Sequence, residues 1–171
     1  EGHVRGLKRG RGVVVPDALF QEISTTERSQ GVITLVKPPE WTIEQLFRGR
    51  AMVVVMDGIQ DPGNAGSMAR TAEAFGATGV VFIKGSVSPW NPKTLRASAG
   101  SLFRLPMVHG MDAALARAAL EQKRLDVYAA DPRGAKSLLE VNFERGIALI
   151  VGSEGQGVSA KLRGGAMDWR I

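Results

Sequence analysis

Residues 57–82 read DGIQDPGNAGSMARTAEAFGATGVVF, and the fold of the chain is decided there. The stretch follows AMVVVM at 51–56, an apolar, β-branched run that reads as a fully buried strand. Asp61, Pro62, Gly63 and Asn64 break that strand, and the pattern predicts a helix with Asn64 at its N-cap and Gly76 at C′. Met68, Ala72 and Phe75 recur at helical spacing and are expected to face a sheet, with Arg70 and Glu73 on other parts of the surface. The next apolar run, GVVFI at 79–83, completes a strand–helix–strand unit. Such units bind ligands at the carboxyl ends of their strands. Asn64 lies in that loop, with Arg70 about one and a half turns further on. Two readings stand for these residues: a helix cap with a solvated arginine, or a pair facing a ligand.

Downstream, apolar runs keep alternating with helical patterns, which argues for a parallel α/β sheet with helices on both faces. Asn91 and Pro92 read as N-cap and first residue of a helix over 93–99, where Lys93 and Arg96 stand three positions apart. Those two cations either line a phosphate path or simply solvate a helix face. A strand is expected over 102–108, with Pro106 arguing against a central position. Residues 112–123 predict a helix capped by Asp112, with Leu115, Ala119 and Gln122 in register. A strand over 125–130 should end in a turn at 131–134, DPRG. The run 147–151 is another strand, and GSEGQG begins at its carboxyl end. Gly152, Gly155 and Gly157 permit close approach of backbone to a ligand. Glu154 is either part of a site or a cap for the helix that follows.

The first 48 residues differ in character. They open with EGHVRGLKRGRG, in which Arg5, Lys8, Arg9 and Arg11 form either a flexible surface segment or a phosphate-contacting arm. Residues 13–15 predict a strand and 17–23 a short helix; KPPEW at 37–41 reads as a linker, with the domain boundary near 47–50. The net charge of +5 and a pI near 10.0 favour a polyanionic partner. Cysteine is absent, so disulfides and thiolate chemistry are excluded, and two histidines do not suggest a histidine-rich metal site, while carboxylate sites stay open. With no membrane-spanning run and no signal-peptide pattern, the cytoplasm is the expected location.

Two of these stretches, DGIQDPGNAGSMARTAEAFGATG and LIVGSEGQGVS at 149–159, resemble motifs 1 and 2 of the SpoU (TrmH-like) RNA 2′-O-ribose methyltransferases of the SPOUT superfamily. KTLRASAGSLFRLP at 93–106 resembles the family's K-x-x-R-A-S-x-G segment. STTERSQGVITLV at 24–36 is similar to the end of the small, ribosomal-protein-like α/β RNA-binding domain that precedes it. The resemblance implies a partial RNA-binding domain and linker over 1–48 and a methyltransferase domain over 49–171. It also implies a C-terminal trefoil knot, S-adenosylmethionine bound in the knot, and a homodimer whose catalytic site takes residues from both subunits. By position, Asn64, Arg70 and Glu154 fall on the family's catalytic residues. Gly152, Gly157 and Ile171 fall on the cofactor side, while Arg5, Lys8, Arg9, Arg11, Lys93 and Arg96 are the candidates for RNA. The sequence stops at Ile171, ahead of the family's third motif. A truncated copy of a longer protein is expected rather than one without an intact cofactor site.

The implied reaction is methyl transfer from a sulfonium to a ribose 2′-hydroxyl, in ribosomal or transfer RNA. An arginine stays protonated at neutral pH, so Arg70 is better suited to gripping a phosphate and a developing alkoxide than to acting as the base. Asn64 and Glu154 would then fix its orientation. Two other classes are open: an RNA-binding module of this fold without catalysis, and a nucleotide-dependent oxidoreductase on a doubly wound sheet. The second lacks the dinucleotide fingerprint after its first strand.

Overall fold

A computed structural model of the chain describes residues 12–26, 29–134 and 137–163. The chain divides into two compact units, Glu1–Lys37 and Pro38–Ile171, so the division falls ahead of the expected boundary near 47–50. In the first unit, α1 (Asp17–Ile23) forms where the sequence predicts it, following Pro16. Residues 13–15 form no strand; Val13 and Val14 are exposed and have no neighbouring strand to pair with among the described residues. The basic residues Arg5, Lys8, Arg9 and Arg11 lie outside the described residues, as does Ile171.

Residues 38–50 belong with the second unit, and Leu46 is their most deeply buried contact with it. Thr42 and Gln45 form a capping box that starts a short 3₁₀ helix, Ile43–Phe47, and this helix delivers Leu46 into the core with no exposed surface. Leu46 lies over Gly79, where a β-carbon would overlap the leucine side chain and sit 3.0 Å from the Pro106 carbonyl oxygen. The Thr78 hydroxyl donates to the Leu46 carbonyl at 2.6 Å and accepts from the Met52 amide at 3.0 Å, joining this helix to the sheet.

The sheet has five parallel strands: β1 (Met52–Asp57), β2 (Gly79–Ile83), β3 (Met107–Met111), β4 (Asp126–Ala130) and β5 (Ile147–Gly152). Their order is β3-β2-β1-β5-β4, with every neighbouring pair parallel. Side chains alternate across the sheet, as the two-residue repeat requires. Val53, Val55, Val81, Ile83, Ala148 and Ile150 enter one core with residues of α4 (Ala113–Gln122) and α5 (Ala160–Arg163). Met56, Val80 and Phe82 enter the other with α2 (Pro62–Ala74). The expectation of a parallel sheet with helices on both faces is met; the knot is a matter for residues beyond those described.

Several local expectations are corrected. The 102–108 strand begins later, at Met107, because residues 101–103 close a 3₁₀ turn; Pro106 precedes it, and β3 is an edge strand as that proline suggested. Asp61, not Asn64, caps α2: its carboxylate accepts the Asn64 amide at 2.6 Å, and Pro62 occupies the first helical position, where its missing N–H costs nothing. Gly76 does take the left-handed C′ position, with φ of 79°. The buried face of α2 is Ala65, Gly66, Ala69 and Ala72, so of the predicted stripe Ala72 is buried, Met68 is half-buried and Phe75 is 78% exposed. The helix also starts three residues earlier than expected, at Pro62. In α4, Asp112 caps as predicted, but Ala113, Ala116 and Leu120 are buried while Leu115 is exposed. Small residues decide both faces, since they let helix and sheet approach closely. Among the described residues no helix is long and apolar enough to cross a membrane.

Candidate functional site

The connections place one crevice in the sheet. From β1 the chain moves outward through β2 to β3, crosses to β4 at the far edge, and returns as β5 beside β1. The carboxyl ends of β1 and β5 are therefore a topological switch point, where open α/β sheets bind ligands. Both sequence stretches singled out above leave the sheet here: residues 57–64 from β1 and 152–159 from β5.

The two stretches meet through side chains. Asn64, in the first turn of α2, donates from Nδ2 to Oε1 of Glu154 at 2.9 Å. A carboxylate only accepts, so this contact fixes which end of the Asn64 amide faces the crevice. Because Asp61 does the capping, the Asn64 side chain is released for that bond, and Glu154 is committed to Asn64 rather than to a helix cap.

The loop carrying Glu154 is tightly folded. The Gly157 amide donates to the Ser153 carbonyl at 2.8 Å and the Gln156 amide to the Ser153 hydroxyl at 3.2 Å. A β-carbon on Gly152 would collide with the backbone of Gly157 and Val158, so only glycine permits this closure. Gly157 itself has φ of 65°, and nothing lies within 4 Å of where a Gly155 side chain would begin. Val158 is buried in the core below, and the Arg163 guanidinium donates to its carbonyl.

Arg70 is placed differently. It lies six positions after Asn64 on α2, hence about 9 Å further along the axis and on another side of the helix. It is exposed and has neither ion pair nor hydrogen bond among the described residues. The expected contact of Asn64 and Glu154 with Arg70 is thus not formed within one chain; they hold each other instead. Lys93 and Arg96 are exposed on α3 (Pro92–Ala97), which Asn91 caps. This helix packs so closely on α2 that a β-carbon on Gly66 would overlap Thr94 and Ala97. Further along α2, Glu73 receives a two-pronged bond from Arg104, at 2.8 and 2.7 Å. That guanidinium, with help from Ser101, holds the Glu73 carboxyl below its usual range.

Asp57 and Ser159 escaped the sequence reading. Asp57 ends β1, is 7% exposed, and accepts the Ser159 amide at 2.6 Å from across the crevice. The signal was present: a carboxylate closing an otherwise apolar buried strand needs a donor.

A parallel sheet with a glycine-closed loop and a polar pair at its switch point defines an α/β protein with a candidate ligand site at the carboxyl ends of β1 and β5. The chain belongs to the SpoU rRNA Methylase family, whose profile matches residues 51–169. It is similar to the 23S rRNA (guanosine(2553)-2'-O)-methyltransferase RlmP of Bacillus subtilis, 36% identical over 143 residues that cover 84% of this chain and 56% of that protein. Its fold matches that of the SpoU methyltransferase AviRb from Streptomyces viridochromogenes, with a TM-score of 0.87, 24% identity, and coverage of 99% of this chain and 66% of that one. The AdoMet-bound rRNA methyltransferase from Sinorhizobium meliloti aligns with a TM-score of 0.56 at 26% identity, over 66% of this chain and 43% of that one. The chain spans about half the length of the curated relatives it matches.

Proposed function

We propose that this chain is the catalytic part of an RNA methyltransferase that transfers a methyl group from S-adenosylmethionine to a ribose 2′-hydroxyl. The observation that carries the reading is the Asn64–Glu154 bond across the β1/β5 crevice, made by the two stretches that resemble the family's motifs and lie within the residues its profile matches. The names of RlmP and of the Sinorhizobium meliloti structure support the ribose 2′-hydroxyl and the cofactor, respectively.

The residues suit such a cofactor. From Gly152 to Ala160 the loop carries one carboxylate, Glu154, and no cationic side chain, which favours a sulfonium cation. Its backbone is uncovered at Gly155, so peptide groups are available to a nucleoside. Gly152 and Gly157 would hold the cofactor by their backbone, with Ile171 as a further contact. When bound, S-adenosylmethionine supplies an electrophilic methyl group.

The chain's own task is to seat the ribose and stabilise the alkoxide that forms as its hydroxyl loses a proton. Glu154, oriented by Asn64 through one carboxylate oxygen, has a second oxygen with which to accept from the ribose. Arg70 grips a phosphate and the developing negative charge through its planar fork. Its distance from the Asn64–Glu154 pair within one chain agrees with a homodimer in which Arg70 serves the neighbouring subunit's site. Lys93 and Arg96, on the helix packed against α2, extend the cationic surface along the RNA backbone. The requirement for a 2′-hydroxyl makes RNA rather than DNA the substrate.

The test is to map 2′-O-methyl positions in ribosomal and transfer RNA from cells with and without the gene. Loss of one defined methylation, restored by the wild type and not by Arg70→Ala, is expected. An unchanged map, with purified full-length protein that binds RNA but not S-adenosylmethionine, would replace an enzyme by an RNA-binding module.

A further inference from the structure

We infer that Asp57 is a positioning residue, which fixes the Glu154 loop in its working geometry by accepting the amide of Ser159 across the crevice. The inference rests on the methyl-transfer reading above for its effect on turnover, and on the loop geometry alone for its structural part.

The loop between β5 and α5 bears an exposed side chain, Glu154, that must be held in one place. It has two ends. At its entry, β5 is held by its ladder to β1, where Gly152 stands opposite Asp57. At its exit, Val158 is buried and Ser159 immediately precedes α5, its carbonyl accepting the amides of Leu162 and Arg163, both at 3.1 Å. The Ser159 amide points back to Asp57 Oδ2 at 2.6 Å. The last residue of β1 therefore pairs with the first residue of the loop through the sheet and with the last through its side chain. The loop closes as a ring on a single residue, Asp57, by its strand register at one end and by its carboxylate at the other.

A short bond from a backbone amide to a carboxylate oxygen in a nearly buried setting is among the stronger hydrogen bonds available to a protein. The next residue repeats the device. Gly58, with φ of 71°, turns the chain so that its amide donates to the Ser86 hydroxyl at 3.0 Å, and that hydroxyl donates to the Met56 carbonyl at 3.0 Å. A side chain on Gly58 would begin 3.7 Å from Ser153 Cβ, so the exit of β1 and the entry of the Glu154 loop lie in contact. Asp57 is thus held rigidly while it holds Ser159. Without it, the loop keeps its internal turn and loses its anchorage, and Glu154 no longer meets Asn64 in a fixed position.

The experiment compares full-length wild type, Asp57→Ala and Asp57→Asn, by steady-state methylation and by amide hydrogen exchange of residues 153–159. Asp57→Ala should raise exchange in that segment roughly tenfold or more, the scale of losing one bond to a charged acceptor. The kcat should fall by about the same factor while KM for RNA stays within about twofold, since geometry and not RNA contact is lost. Asp57→Asn keeps an acceptor oxygen of the same reach and should restore most of both. Should Asp57→Ala fail to fold, Ser159→Pro removes the donor instead, with the same expected pattern. Unchanged exchange, or a folded variant with wild-type kcat, overturns the inference. A wild type that transfers no methyl group overturns the function proposed above; the exchange comparison, which needs no substrate, then decides alone whether Asp57 fixes the loop.

Discussion

Asn64 and Glu154 stand 90 positions apart in sequence and 2.9 Å apart in space, the amide of one fixed against the carboxylate of the other where β1 and β5 diverge. A coupling of this kind is measurable. In a double-mutant cycle with Asn64→Ala and Glu154→Ala, turnover losses should be non-additive by about 0.5–3 kcal/mol, the range for residues in direct contact. Single-turnover methylation by the two single variants and the double variant checks it; additive losses would mean that the pair does not act as a unit.

Arg70 offers the sharpest separation of chemistry from stability. Its exposure and its lack of partners among the described residues predict that Arg70→Lys changes stability by no more than about 0.5 kcal/mol. Losing the planar fork should lower turnover by roughly 10²–10³, by analogy with the removal of one oxyanion donor. A melting curve beside single-turnover kinetics distinguishes the two, and a normal rate in the lysine variant would remove Arg70 from the mechanism.

Gly152→Ala should damage the site more than the fold. The added carbon meets backbone, which cannot move aside as a flexible side chain can. The loop must open, so S-adenosylmethionine affinity is expected to fall at least about tenfold, with a stability loss in the range of about 1–3 kcal/mol for forced overpacking. Calorimetric titration of the full-length variant tests this, and wild-type affinity would show that the loop closure is not needed.

The Glu73–Arg104 pair carries a pH dependence. Arg104 lowers the Glu73 carboxyl relative to its unfolded value, so the pair's stabilisation is present above the unfolded pKa and is lost as pH falls through the folded one. Thermal melts of wild type and Glu73→Gln should therefore differ near neutrality and converge in acid, below the ordinary carboxylate range. The effect should be modest, because both groups are partly exposed. A gap that widened on acidification would contradict the assignment.

Lys93 and Arg96 predict a salt dependence. If both contact phosphates, replacing each by alanine should reduce the log–log salt slope of binding to single-stranded RNA by about 0.7. Filter binding across a salt series measures it, and unchanged slopes would leave these residues as a solvated helix face.

The sequence by itself determined what is local. Alternating apolar runs specified a parallel sheet, and β2, α1 and the Asp112 cap of α4 lie where propensity and capping put them. β3 is at the sheet edge, as Pro106 led us to expect, although that proline precedes the strand and removes none of its amides. Asn64 and Glu154 were legible as candidates from their motifs. Their meeting was not, since it depends on the strand order that sets β5 beside β1 and on Asp61 taking over the cap. Tertiary packing also chose the faces of α2 and α4: closely approaching helices select alanine and glycine over the larger apolar side chains that dominate a periodicity count. Asp57 marks the limit most clearly. In sequence it is one carboxylate at the end of an apolar run, and its partner amide, 102 positions away, exists only once the sheet has assembled around β1.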